Sequence, residues 1–232
     1  MTRLVWTAAA VVVLAVPGIA ACAHDSDGTA VRAKASISKT ASPTAPASAD
    51  SRDAPESAEP GVLETTREPV PPNALVCLQA PTGQTAVATV ADPAAPRITV
   101  AMPQGWSASP GSGDVGALLA GPDEMVAEVT ITATPMDAAG AFTRYADDVM
   151  AKYPISTLSL LPADFCGYSG QKLMGTWAQD PDQSLEYRDR IAHIWTNGKN
   201  YLVAIHVEAP SGTPGFDTAA SVLTGEFSIV IP

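Results

Sequence analysis

The sequence predicts an α+β domain, a mostly antiparallel sheet of six or more strands with helices packed on it, carried behind a disordered linker. Three observations carry that expectation. Asn197-Gly198 separates two stretches rich in β-branched and aromatic residues, the pattern of a hairpin closed by a type I′ turn, in which both turn residues need positive φ. Apolar residues at three- and four-residue spacing mark one helix in mid-domain and a second near the C-terminus, each set among strand-like segments. Residues 26–73 are rich in Ala, Ser, Thr and Pro, with almost no large apolar residue before Val62. Such a stretch cannot bury enough surface to offset its ordering entropy.

At the N-terminus, Arg3 is the only charge before an apolar run over residues 4–16 that only Thr7 interrupts; Pro17-Gly18 ends it and Ile19-Ala20-Ala21-Cys22 follows. This is the n-region, h-region and cleavage zone of a signal peptide over residues 1–21. An aliphatic residue, two small residues and a cysteine resemble the lipobox of bacterial lipoproteins. The resemblance implies cleavage before Cys22 and a diacylglycerol thioether on its thiol. A plain signal peptide and an uncleaved anchor are the alternatives, because residues 4–21 reach the lower limit for spanning a bilayer. His24, Asp25 and Asp27, polar immediately after Cys22, favour the lipobox. Residues 22–73 then form a lipidated N-terminus and linker, which as a flexible coil holds the domain, residues 74–232, on the order of 40 Å from its anchor.

The formal net charge is −11, and most of the acidic excess falls after Ala74. Such a surface repels phosphate backbones and anionic headgroups, so nucleic acid is not an expected partner. The membrane is met through acyl chains on Cys22, at the extracytoplasmic face of the cell membrane, with a shed form as a further option. With Cys22 lipidated, Cys77 and Cys166 are the one intramolecular pair left in an oxidising compartment. Two separately buried thiols are the alternative. A disulfide between them stabilises by about 4–5 kcal/mol in the loop-entropy model.

Within the domain, 75–78 is a short apolar run and 85–90 alternates as a strand, after which Asp92-Pro93 and Ala95-Pro96 impose a turn. Residues 98–102, 115–120 and 126–134 read as strands, the last two separated by Gly121-Pro122-Asp123. A helix is expected over 138–153, with Phe142, Tyr145, Val149 and Tyr153 on one stripe, Asp137 as cap and Pro154 as terminator. Residues 157–161 and 171–178 are further strands around a loop holding Cys166. In the hairpin over 185–207, a two-residue turn sets Thr196 opposite Lys199, His193 opposite Leu202 and Asp189 opposite His206, with Tyr201, Val203, Ile205 and Val207 on the buried face. A second helix is expected to start at Thr213-Pro214, cap then first-turn proline, and to carry Phe216, Ala219, Ala220, Val222 and Leu223. Residues 227–231 close the chain as a strand.

Candidate chemistry is sparse. Gly111-Ser112-Gly113-Asp114-Val115-Gly116 spells G-x-G-x-x-G, but Pro110 stands where a strand should end and Gly121-Pro122 follows too soon for a helix, so it reads as a surface loop. Gly167-Tyr168-Ser169-Gly170 has the wrong spacing for a nucleophile elbow. No cysteine and histidine cluster has metal spacing, and no cofactor is expected. His193 and His206 share a face with Asp189, which suits a cross-strand polar contact; a hydrolytic triad would need Ser or Cys from elsewhere. Asp180 and Asp182 around Pro181 read as solvated. Trp106, Trp177 and Trp195 are either core aromatics or the lining of an apolar groove that, with His193 and His206, forms a ligand or partner surface.

The order of these elements resembles the LpqN/LpqT type of actinobacterial cell-envelope lipoproteins over residues 97–232. The motifs that carry the resemblance are Ile98-Thr99-Val100-Ala101-Met102-Pro103-Gln104-Gly105-Trp106, the mid-domain helix, Phe165-Cys166-Gly167-Tyr168-Ser169-Gly170 with the strand to Trp177, then the hairpin, helix and final strand. The resemblance implies a PsbP/Mog1-like sandwich with helices on both faces of the sheet, used as a non-catalytic binding module beside lipid-handling envelope machinery. Two functions follow as expectations. One is an accessory module docking on an envelope protein such as a lipid transporter, with linker reach and acidic steering toward a basic partner. The other is a carrier of a lipid or glycolipid in an apolar cleft between sheet and helix.

Overall fold

Fourteen elements follow one another in a computed structural model that describes residues 59–77, 83–180, 182–225 and 227–232. The signal segment, Cys22, the linker to residue 58, Leu78 and Pro181 lie outside the described residues. The strands are β1 (Ala74–Cys77), β2 (Thr85–Ala88), β3 (Arg97–Ala101), β4 (Ser107–Ser109), β5 (Val115–Ala120), β6 (Val126–Thr134), β7 (Ile155–Ser156), β8 (Ser159–Pro162), β9 (Ser169–Asp180), β10 (Gln183–Trp195), β11 (Asn200–Pro210) and β12 (Ser228–Ile231). Helix α1 (Ala138–Ala151) follows β6 and α2 (Phe216–Leu223) follows β11.

The strands make two antiparallel sheets rather than one. A small sheet runs β1-β12-β3-β2, and a large one runs β4-β5-β6-β11-β10-β9-β7, with β8 also paired to β9. The centre of the large sheet is the hairpin of β10 and β11. Asn197 takes φ 65° in its turn, the Thr196 amide donates to the Lys199 carbonyl at 2.9 Å, and His193 pairs with Leu202 and Asp189 with His206, as alternation requires. Tyr201, Val203, Ile205 and Val207 are all buried on one face, against Val129 and Ile131 of β6, Ile194 of β10, α2 and the small sheet. Each such side chain contributes about 1.5–3 kcal/mol by leaving water.

The other face receives α1. The Asp137 carboxylate accepts from the Gly140 N–H at 2.8 Å, satisfying an orphan donor of the first turn, and Pro154 stops the helix within a turn of its end. Its apolar stripe sets Phe142 and Val149 on Leu173, Trp177, Tyr187, Ile191 and Ala204. The start of α2 differs from expectation. Thr213 is not its cap; the Thr213 hydroxyl donates to the Pro210 carbonyl at 2.6 Å, closing the turn after β11. The helix begins at Phe216 behind Gly215, whose φ of 82° makes the reversal that no β-carbon would tolerate cheaply.

The described residues begin at Glu59, and the stretch 59–73, read as linker, forms a strap on the sheet. Gly61, at φ 74°, lies so close that a β-carbon would meet the Gly170 carbonyl oxygen, and its own carbonyl accepts the Gly170 N–H at 2.9 Å. The Leu63 N–H donates to Ser169 Oγ at 2.9 Å, and the buried Gln171 amide donates to the Pro60 carbonyl at 2.8 Å and to Glu59 at 3.1 Å. Farther on, Asn197 accepts the Val70 N–H and donates to the Val70 carbonyl, both at 2.9 Å. Composition predicted no order here because apolar content is low; polar partners on β9 and the hairpin turn supply what burial does not.

Candidate binding groove

Register places two rows of side chains across the face of the large sheet that carries α1. One row reads Ser109, Leu118, Glu128, His206, Asp189 and Leu173; the next reads Ser107, Ala120, Val126, Glu208, Tyr187 and Gly175. Helix α1 covers the β9 and β10 end of both rows. Over β4, β5 and β6 the face is open, and Leu118 and Val126 are 43% and 42% exposed there. A groove of about 380 Å³ follows this strip, lined by Ser107, Ser109, Leu118 and Val126. It adjoins a hollow of about 260 Å³ beside α1, sharing Glu128, Lys152 and His206 with it.

Beneath the shared end lies a closed polar network. The Asp189 side chain is 0% exposed and accepts from the Tyr145 hydroxyl at 3.0 Å and from His206 Nδ1 at 2.5 Å. His206 Nε2 donates to Glu208 at 3.1 Å, and Lys152 Nζ reaches the same carboxylate at 3.3 Å while standing 4.0 Å over the Trp177 ring. Ionised carboxylates only accept, so both ring nitrogens of His206 carry protons. Burial works against that charge, but the hydrogen bonds to Asp189 and Glu208 outweigh it and raise the imidazole to about 9. The hydrogen bond from His206 correspondingly lowers the Glu208 carboxyl, and burial with the Asp189 charge pushes the Tyr145 hydroxyl well above its ordinary value. With neither nitrogen free to accept a proton, His206 cannot serve as a general base in this geometry.

The other sequence candidates are dispersed. His193 shares the face but stands farther along β10, with Nε2 3.1 Å from the Met136 carbonyl; burial pushes its pKa down. Trp106 and Trp177 are buried in the cores on opposite faces of the large sheet, and Trp195 is half-buried beside the hairpin turn, so the three do not line one groove. Only Trp177 reaches the hollow beside α1. The space between α1 and the sheet is filled by Phe142, Val149, Trp177, Tyr187 and Ile191, so the groove lies beside the helix rather than under it. Cys77 and Cys166 form a disulfide with Cα atoms 5.7 Å apart, tying β1 to the loop before β9. The G-x-G-x-x-G stretch is a turn into β5, with the Val115 amide donating to the Ser112 carbonyl at 3.1 Å. Among the described residues no group of three acidic, histidine or cysteine side chains is placed to hold a metal, and no helix is long and apolar enough to cross a membrane.

Sequence reasoning missed Leu118, Val126, Glu128, Lys152 and Glu208. The alternation of β6 sets Val126, Glu128 and Thr130 on one face, but only the pairing of β6 with β11 brings Glu128 beside His206.

No protein-family model matches the chain, and no curated protein matches it. Among solved structures, LpqN of Mycobacterium tuberculosis, described as involved in cell envelope biogenesis, is similar with a TM-score of 0.50 and 19% identity, covering 63% of this chain and 91% of that chain. At that identity the likeness is one of fold: this is a distant LpqN-like α+β fold.

Proposed function

We propose that the chain is a lipid-anchored lipoprotein of the extracytoplasmic face, held through Cys22, that acts as a non-catalytic docking module in cell-envelope biogenesis and binds an envelope protein through the strip beside α1. The fold is taken to be of PsbP/Mog1 type. The observation that carries this reading is the open apolar strip of Leu118 and Val126 set against a charged rim, beside a His206 whose two nitrogens are both engaged by carboxylates and so cannot accept a proton. An acidic surface of net charge −11 favours encounter with a basic partner. The linker supplies reach.

A second reading has its own observation: the apolar floor of the groove also suits an acyl chain, making the protein a carrier of a lipid or glycolipid. The two separate on isolation of the full chain from its own envelope in mild detergent, followed by native mass spectrometry. Retention of an envelope protein in stoichiometric amount supports docking. A lipid-sized added mass with no protein retained overturns it in favour of the carrier. Cys22→Ala should move the chain from the membrane to the soluble fraction if the anchor is at that residue.

A further inference from the structure

Among the described residues, Glu128 is the one charged side chain of the groove without a hydrogen-bond or ion-pair partner. It stands half-buried on β6, between Leu118 of β5 and His206 of β11 in one cross-strand row. Every other charge around it is engaged: Lys152 with Glu208 at 3.3 Å, His206 with Glu208 and Asp189, and Asp148 with Arg144 at 2.8 Å. Glu128 makes no hydrogen bond or ion pair among the described residues.

Resting on the docking reading above, we infer that the groove takes an extended segment of a partner protein that sets a lysine or arginine on Glu128 and apolar side chains on Leu118 and Val126. Any occupant that covers the apolar floor strips water from Glu128, and a carboxylate desolvated without a partner costs several kcal/mol. A bare acyl chain leaves that cost standing. An anionic headgroup meets Glu128, Glu208 and Asp148, while the nearby cations are already committed. A hydroxyl-rich headgroup donates only neutral hydrogen bonds, roughly half as strong as those of a cation. A basic side chain supplies both charge and donors. Spacing fits as well: Val126 and Glu128 are same-face neighbours on one strand, about 6.6–6.8 Å apart along it, and Leu118 is about 5 Å across. A segment in extended conformation presents alternate side chains at that pitch.

The test places a photo-crosslinking amino acid at Leu118 of the full chain in its own envelope, with a second probe at Val87, which is exposed on β2 of the small sheet. The Leu118 probe should join a partner peptide carrying Lys or Arg within a few residues of the crosslink. Glu128→Gln should lower the yield roughly tenfold, as truncation of a central charged contact does. Glu128→Lys should abolish the crosslink, and replacing the partner's basic residue by Glu should restore it. Unchanged unfolding midpoints establish that both variants are folded. Crosslinking from Leu118 to a lipid, to a second copy of this chain or to a peptide without a basic residue overturns the inference, as does an unchanged yield with Glu128→Gln. If the Val87 probe captures an envelope protein and the Leu118 probe does not, the groove assignment falls while docking stands. If neither captures a protein, docking falls with it.

Discussion

The two faces of the large sheet are made from alternate residues of the same strands, yet one is finished and the other is not. Tyr201, Val203, Ile205 and Val207 point into a core closed by α2 and the small sheet. One residue out of step, Leu202, Ala204, His206 and Glu208 point to the face that α1 covers only in part. The fully covered face is satisfied mainly by complementary apolar volume, with Arg190 and the Tyr201 hydroxyl as its polar exceptions. The partly covered face has polar groups at the margin of the cover, and they must be satisfied by one another, as Tyr145, Asp189, His206, Glu208 and Lys152 are, or remain available, as Glu128 is.

Breaking the closed face should cost most. Cys77 is buried in that core, and its bond to Cys166 spans 89 residues of sequence. Replacing both cysteines by Ser should lower the unfolding free energy by about 4–5 kcal/mol in the loop model, read from urea midpoints with and without reductant in the parent chain. Ile205→Ala, at a fully buried position, should cost about 3–4 kcal/mol with an unchanged urea slope.

On the partly covered face, Asp189→Asn should cost about 3 kcal/mol, because it leaves the His206 imidazolium and the Tyr145 hydroxyl without their carboxylate. The same network predicts a pH dependence above neutrality. In the folded chain His206 holds its proton to about pH 9, whereas in the unfolded chain it releases it near 6.5. The resulting stability is therefore fully present below pH 6.5 and lost as pH rises through 9. His193, pushed the other way by burial, acts as pH falls below 6.5 and leaves that window clear. Unfolding curves at several pH values between 6.5 and 9 should show a loss of a few kcal/mol in the parent and almost none in His206→Gln. The smallest effect belongs to the open strip: Leu118→Ser should cost under about 1 kcal/mol in thermal melts, since the side chain is only partly covered.

What could be seen in advance divides along the range of the interactions. The hairpin register was legible because Asn197-Gly198 sets it locally, and alternation then places Asp189 opposite His206. Helix α1 was legible from the stripe of Phe142 and Val149 and from Asp137 and Pro154 at its ends. The split into two sheets was not, because β12 enters between β1 and β3, a pairing of chain ends that no local pattern encodes. Strand β4, Ser-Ala-Ser, has no apolar period to read. The tryptophans looked like candidates for one surface since sequence gives composition but not which side of the sheet each joins. Glu128 was invisible as a site residue for a related reason: its neighbours Leu118 and His206 come from other strands.

The strap over 59–73 changes what counts as the smallest autonomous piece of this protein. A chain cut at Ala74 would lose Pro60 and Glu59 as acceptors for the Gln171 amide, expose the Gly170 N–H, and strip Asn197 of both bonds to Val70. Truncation there removes a surface strap whose polar contacts β9 and the hairpin turn depend on, so a chain starting at Ala74 should unfold at lower urea than one starting at Glu59.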